Sequence, residues 1–149
     1  MIMNAEQTFS DRVKLKALAT SFVAYVVLSV VLFAIVVQFW MPAGVSAERL
    51  RELAETDRNL LLWQMILGAV LTIVAGYIAT RMSGKKGLRN SLAVGGVLTL
   101  YGVLGIYLHP SHPVIVQVAK LVVPIPLALI GGWVALRAKS SPPKIGDHA

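Results

Sequence analysis

Four stretches of this chain are long enough to cross a bilayer and contain no aspartate or glutamate. They are ALATSFVAYVVLSVVLFAIVVQFW (17–40), NLLLWQMILGAVLTIVAGYIAT (59–80), NSLAVGGVLTLYGVLGIYLH (90–109) and PVIVQVAKLVVPIPLALIGGWVAL (113–136). An α-helix rises about 1.5 Å per residue, so about 20 apolar residues span the hydrocarbon. In lipid no water bonds the backbone, and a helix satisfies its own N–H and C=O groups. The expectation is an all-α, four-transmembrane-helix bundle forming one domain over residues 1–138. A polar, proline-bearing tail (139–149) is expected to be disordered in the cytoplasm. With 56% apolar and 14% charged residues in 149, no room is left for a soluble catalytic domain.

Lys and Arg placement predicts the orientation. Arg12, Lys14 and Lys16 precede the first span, Arg81, Lys85, Lys86 and Arg89 fall between the second and third, and Arg137, Lys139 and Lys144 follow the fourth. Those ten face three on the opposite side, Arg49, Arg51 and Arg58, which are outnumbered by Glu48, Glu52, Glu55 and Asp57. Both termini are therefore expected to be cytoplasmic, in a bacterial inner membrane. Trp40, Trp63 and Tyr107 then mark the outer interface, and Tyr77 and Trp133 the inner one. The net charge of +7 lies in short blocks between spans with no aromatic-interleaved basic stripe, so the expected partner is the lipid bilayer and not nucleic acid. Val45-Ser46-Ala47 has the small residues a signal peptidase accepts, but the 24-residue apolar run before it exceeds the roughly 7 to 15 residues of a signal-peptide core.

The outer connector SAERLRELAETDRN can form a short helix over about 46–56, with Ser46 as N-cap, Leu50, Leu53 and Ala54 on one face, and Arg51 and Glu55 at i,i+4 spacing.

Between helices in lipid, small residues permit the close approach that the hydrophobic effect does not drive. The second span carries Gly68, Thr72, Gly76 and Thr80 at every fourth position, and the third carries Ser91, Gly95 and Thr99, continued by Gly102 and Gly105. These stripes predict a tight antiparallel hairpin of spans two and three, or a homodimer through one of them. Within it, AGYIATRMSGKKGLRNSLAVGGVL (75–98) resembles a GGYxAxRxA-like stretch, basic loop and small-residue helix of uncharacterised four-helix bacterial membrane proteins. Where those sequences often carry a glycine pair and a loop histidine, this chain has Ala75 before Gly76, and Asn90. The resemblance implies four helices and no particular chemistry.

The fourth span holds a charge and two helix breakers. Lys120 lies seven residues past Pro113, about 10 Å deep, and its side chain leans toward the helix N-terminus, the outer end. Pro124 cannot donate to the Lys120 carbonyl, nor Pro126 to that of Val122, so a kink is expected at mid-membrane. Gln117, Gln64, Tyr101 and Gln38 occupy comparable outer depths. Two readings follow. In one, the polar cluster fixes helix register and the protein is an accessory or structural subunit acting through helix contacts. In the other, Lys120, Gln117, Gln64 and Tyr101 form an outward-facing site for an anionic small molecule or lipid head group in a small oligomeric transport or permeation protein.

Further chemistry finds no support. HPSHP (109–113) supplies two histidines, too few for a metal site; MSGKKG (82–87) lacks the phosphate-loop pattern; and no catalytic constellation can be assembled within the spans. With no cysteine, thiolate metal sites and disulfides are excluded, and neither cofactor nor enzymatic activity is expected. The small multidrug exporters depend on an intramembrane glutamate, which is absent here.

Overall fold

A computed structural model of the chain describes residues 15–40, 44–83, 87–108, 110 and 112–140. These form α1 (Leu15–Trp40), α2 (Ala47–Thr56), α3 (Arg58–Ser83), α4 (Gly87–Leu108), α5 (Val114–Val122) and α6 (Pro124–Ser140). The result is an all-α bundle. Three helices, α1, α3 and α4, are long and apolar enough to cross a membrane, and α5 with α6 makes a fourth if the bent pair is one span. The exposed side chains of α1 are mostly apolar, among them Val23, Val27, Val31 and Ile35, as suits a lipid-facing surface.

Local chemistry sets the helix ends. Ser46 is the N-cap of α2, its hydroxyl accepting from Arg49 N–H at 3.3 Å. Asp57 begins α3 in the same way, its carboxylate accepting from the N–H groups of Asn59 and Leu60, both at 2.9 Å. The ion pair on α2 joins Arg49 to Glu52 at 2.7 Å; the side chain of Arg51, expected to pair with Glu55, lies outside the described residues. At the other end α6 runs to Ser140, past the expected end of the span at 136 and the expected tail boundary at 139. Its last turn carries Arg137 and Lys139, which suit the negative end of the helix dipole. The Arg137 guanidinium lies 3.5 Å over the Trp133 ring, and Arg81 lies 5.7 Å from that of Tyr77 at the same end of α3. The rest of the tail (141–149), the Lys85 and Lys86 loop, and His109 and Ser111 of HPSHP lie outside the described residues.

The core is built from small side chains. Ala75, Ala79, Val94 and Leu98 are its buried cluster, with Leu18, Phe22 and Tyr25 of α1 against it. Two glycines of the expected stripes make their closest approaches to α6. Gly76 faces the backbone of Ala128 in α6, Gly131 of α6 faces Ile73 in α3, and a methyl on Gly95 would lie 2.8 Å from the α-carbon of Ile125. Gly76 and Gly95 thus seat the last helix in the groove between α3 and α4. The reason is volume: α6 offers Ala128, Gly131, Gly132 and Ala135, all buried, so three backbones can converge.

The α3–α4 hairpin is held near its turn by hydroxyls of the same stripes. Ser91 Oγ donates to Gly76 O at 2.9 Å, and Thr80 Oγ1 lies 2.5 Å from Ser91 Oγ. Thr80 Oγ1 also donates to Gly87 O at 3.1 Å, and since a hydroxyl has one hydrogen, Thr80 and Ser91 share two hydrogens over three contacts in one relay. Below it the Asn90 amide donates to Ser83 Oγ.

Candidate functional site

The last helical stretch breaks at Val123, and α5 and α6 are bent by 42°. Pro124 and Pro126 are the cause expected from the sequence. Each lacks the N–H that would reach back four residues, while Val123 still donates to Ala119 O at 3.0 Å and Leu127 to Val123 O at 3.2 Å. Thr99, placed in a packing stripe by sequence, turns to this bend: its hydroxyl donates to Gly95 O at 3.0 Å and lies 3.5 Å from Leu121 O. The freed Lys120 carbonyl meets Gly102 of α4, where a methyl would come within 2.6 Å of it.

Below the bend α6 packs on both α3 and α4; above it α5 packs on α4 and makes no sustained contact with α3. The half of the bundle that contains α5 borders a cavity of about 640 Å³ between α1, α3, α4 and α5. Lys120, Gln64 and Tyr101 all line it. These three residues come from three helices and border the same cavity.

Lys120 is half-buried, and its Nζ lies 3.3 Å from Nδ1 of His112. With Lys120 as an ammonium, Nζ donates to Nδ1; a neutral amine could instead accept from an Nδ1–H tautomer. The side chain reaches toward the start of its helix, as helical geometry directs.

Gln117 does not join the site. Its amide donates to the carbonyls of His112 at 2.8 Å and Pro110 at 3.2 Å, tying down the loop before α5. Three residues from Lys120 on a helix is about 60° away in projection, enough to point Gln117 at the loop. Gln38 is exposed on α1 and does not line the cavity. Gly68 and Thr72 line the cavity; a methyl on Gly68 would meet only the Tyr25 hydroxyl, at 3.8 Å. Thr72 is buried and donates to Gly68 O at 2.7 Å.

Several lining residues escaped the sequence reading. Tyr25 and Ser29 on α1, Glu55 on α2 and His112 before α5 face the same volume. The rings of Phe22 and Tyr25 meet Tyr101 edge-on, with centroids 5.9 and 6.3 Å away. Tyr25 and Ser29 were findable as an i,i+4 polar pair in an otherwise aliphatic run; nothing in the sequence distinguishes Glu55 from the other outer acids. The cavity is thus charged toward the loops and apolar and aromatic toward the bilayer centre. Among the described residues no three His, Cys, Asp or Glu side chains are grouped to hold a metal.

The chain matches no family model, no curated protein and no solved structure.

Proposed function

We propose that this is a four-span protein of a bacterial cytoplasmic membrane, with both termini cytoplasmic, that binds an anionic group on Lys120 in an outward-facing cavity. The observation that carries the reading is that Lys120, Gln64 and Tyr101 line one cavity beneath a bent helix. An intramembrane lysine is costly, and a charge kept at such depth is a functional position by default. The distribution of Lys and Arg supports the orientation, and the resemblance over residues 75–98 agrees with four spans. Binding, not catalysis, is the role proposed, in a small transport or permeation protein or an accessory to one. A purely structural subunit working through its glycine stripes has less support, since Gly76 and Gly95 are already engaged by α6.

Because the chain has no cysteine, Gln64→Cys gives a single reporter inside the cavity. An anionic thiosulfonate reagent added from outside should react with it faster, relative to a cationic one, when Lys120 is present. Lys120→Met should lower that rate ratio several-fold. A ratio unchanged by Lys120→Met would overturn the proposal.

A further inference from the structure

The cavity walls restrict what an anion on Lys120 can carry with it. Leu71, Leu98, Val116, Val123 and the Tyr25 and Tyr101 rings line the same space as the lysine. A small hydrophilic anion would leave this surface unmatched. Ligand cavities of such size are filled mostly by apolar contact, with a few polar groups fixing the orientation. An anion that fits therefore has an apolar body behind its head. The volume of about 640 Å³ equals about twenty water-sized groups, enough for a head and one chain and too small for a two-chain lipid.

The cavity is also open sideways. α5 makes no sustained contact with α1 or α3, and Val30 and Leu104, which line the cavity, are 64% and 52% exposed. In a bundle that spans a membrane these seams face acyl chains, so an amphiphile can enter from lipid without its tail crossing water. A charged head drawn below the interface loses its hydration and needs a counter-charge at that depth. Lys120 is the one Lys or Arg among the described residues lining the cavity. One ammonium balances one negative charge. Glu55, which also lines the space, already has an interaction partner and plays no part in the match; a second negative charge on the ligand would stay unpaired.

We infer that the ligand is a single-chain carboxylate amphiphile of the fatty-acid type, entering from the surrounding lipid, with its head on Lys120 and its chain against the apolar walls. This rests on the proposed anion site at Lys120 and adds the single charge, the chain and the sideways route. The carboxylate accepts a charge-assisted hydrogen bond from the Lys120 ammonium, and the pairing offsets the cost of holding either charge away from water.

Gly105 provides a control that leaves the charge in place. It lines the cavity, and a Cβ built on it meets no atom within 4 Å. Gly105→Phe should therefore fill the space for the chain while the fold persists, and Gly105→Leu is a smaller filler of the same position.

The test uses the full chain in dodecyl maltoside, with binding of laurate, dodecanol, butyrate and dodecyl phosphate read by native mass spectrometry at a pH where laurate is ionised. Laurate should bind best. Dodecanol, with the chain and no charge, and butyrate, with the charge and little chain, should each bind at least about tenfold more weakly. Lys120→Met should bring laurate down to the level of dodecanol and leave dodecanol unmoved. Gly105→Phe and Gly105→Leu should weaken laurate and dodecanol alike, several-fold, with the folded yield kept. Butyrate binding as tightly as laurate, laurate binding unmoved by either Gly105 variant, or dodecyl phosphate binding more tightly than laurate would overturn this inference and leave the anion site standing. Laurate binding indifferent to Lys120→Met would overturn the anion site itself.

Discussion

The carbonyl of Lys120, deprived of its helical donor by Pro124, rests against the backbone of Gly102 on the neighbouring helix. The residue that freed the carbonyl and the residue that receives it lie 22 positions apart in the sequence. Together they allow α5 to leave the axis of α6 while keeping its seam with α4.

Replacing Gly102 with Ala forces that carbonyl away, since a methyl would lie 2.6 Å from the oxygen. The expected cost is about 1–3 kcal/mol, as for other insertions into filled space. Gly96→Ala, where a side chain meets open space, should be neutral or stabilising by up to about 1 kcal/mol through helix propensity. Denaturation in mixed micelles, followed by circular dichroism, compares the two; equal stabilities would show that the α4–α5 seam yields freely.

Pro124→Ala restores the N–H that Lys120 O lacks, and the 42° bend should relax. Straightening carries α5 toward α3. Cysteines at Met65 and Val116, which both line the cavity, should then form a disulfide faster in the Pro124→Ala background than in its absence. An unchanged rate would mean that side-chain contacts, not the proline, hold the bend.

The hydroxyl relay predicts coupling between two helices. Ser91→Ala removes the donor to Gly76 O and leaves Thr80 without its 2.5 Å partner. Interhelical hydrogen bonds in membranes average about 0.6 kcal/mol and reach about 1.7, and this buried pair should fall in the upper part of that range. A Thr80→Val, Ser91→Ala double-mutant cycle measures the coupling, and additive effects would remove the relay from the account of stability.

Topology can be tested with two further single cysteines. Ser46→Cys should be labelled in intact cells by an impermeant maleimide, and Ala138→Cys only after permeabilisation. The opposite pattern would invert the orientation and place the Lys120 cavity on the cytoplasmic side.

Element content was readable because length, apolarity and the absence of acids each mark a span, and the two prolines mark the break. Which helix meets which was less readable. Gly76 and Gly95 announce a close approach without naming the partner, because a uniformly apolar helix has no polar face to indicate where its neighbour lies. Gly131 and Gly132 on α6, the other side of that approach, went unnoticed for the same reason. For the site, Lys120, Gln64 and Tyr101, chosen by depth, border one cavity, since depth is linear in residue number. Depth counting failed for Gln117, whose fate depends on direction around the helix, and for Glu55, whose position depends on how α2 folds over its neighbours.

The contrast between the bundle's two halves has an electrical consequence. In the proposed orientation the inner half, where glycines and alanines bring α3, α4 and α6 together, is dry insulation, while the outer half opens to its surroundings around Lys120. A transmembrane potential falls mainly across the insulating part, and carrying one charge through the whole of it is worth about 2.3 kcal/mol per 100 mV. An ion reaching Lys120 from outside crosses little of that drop. Its binding should therefore be nearly indifferent to whether the cell is energised.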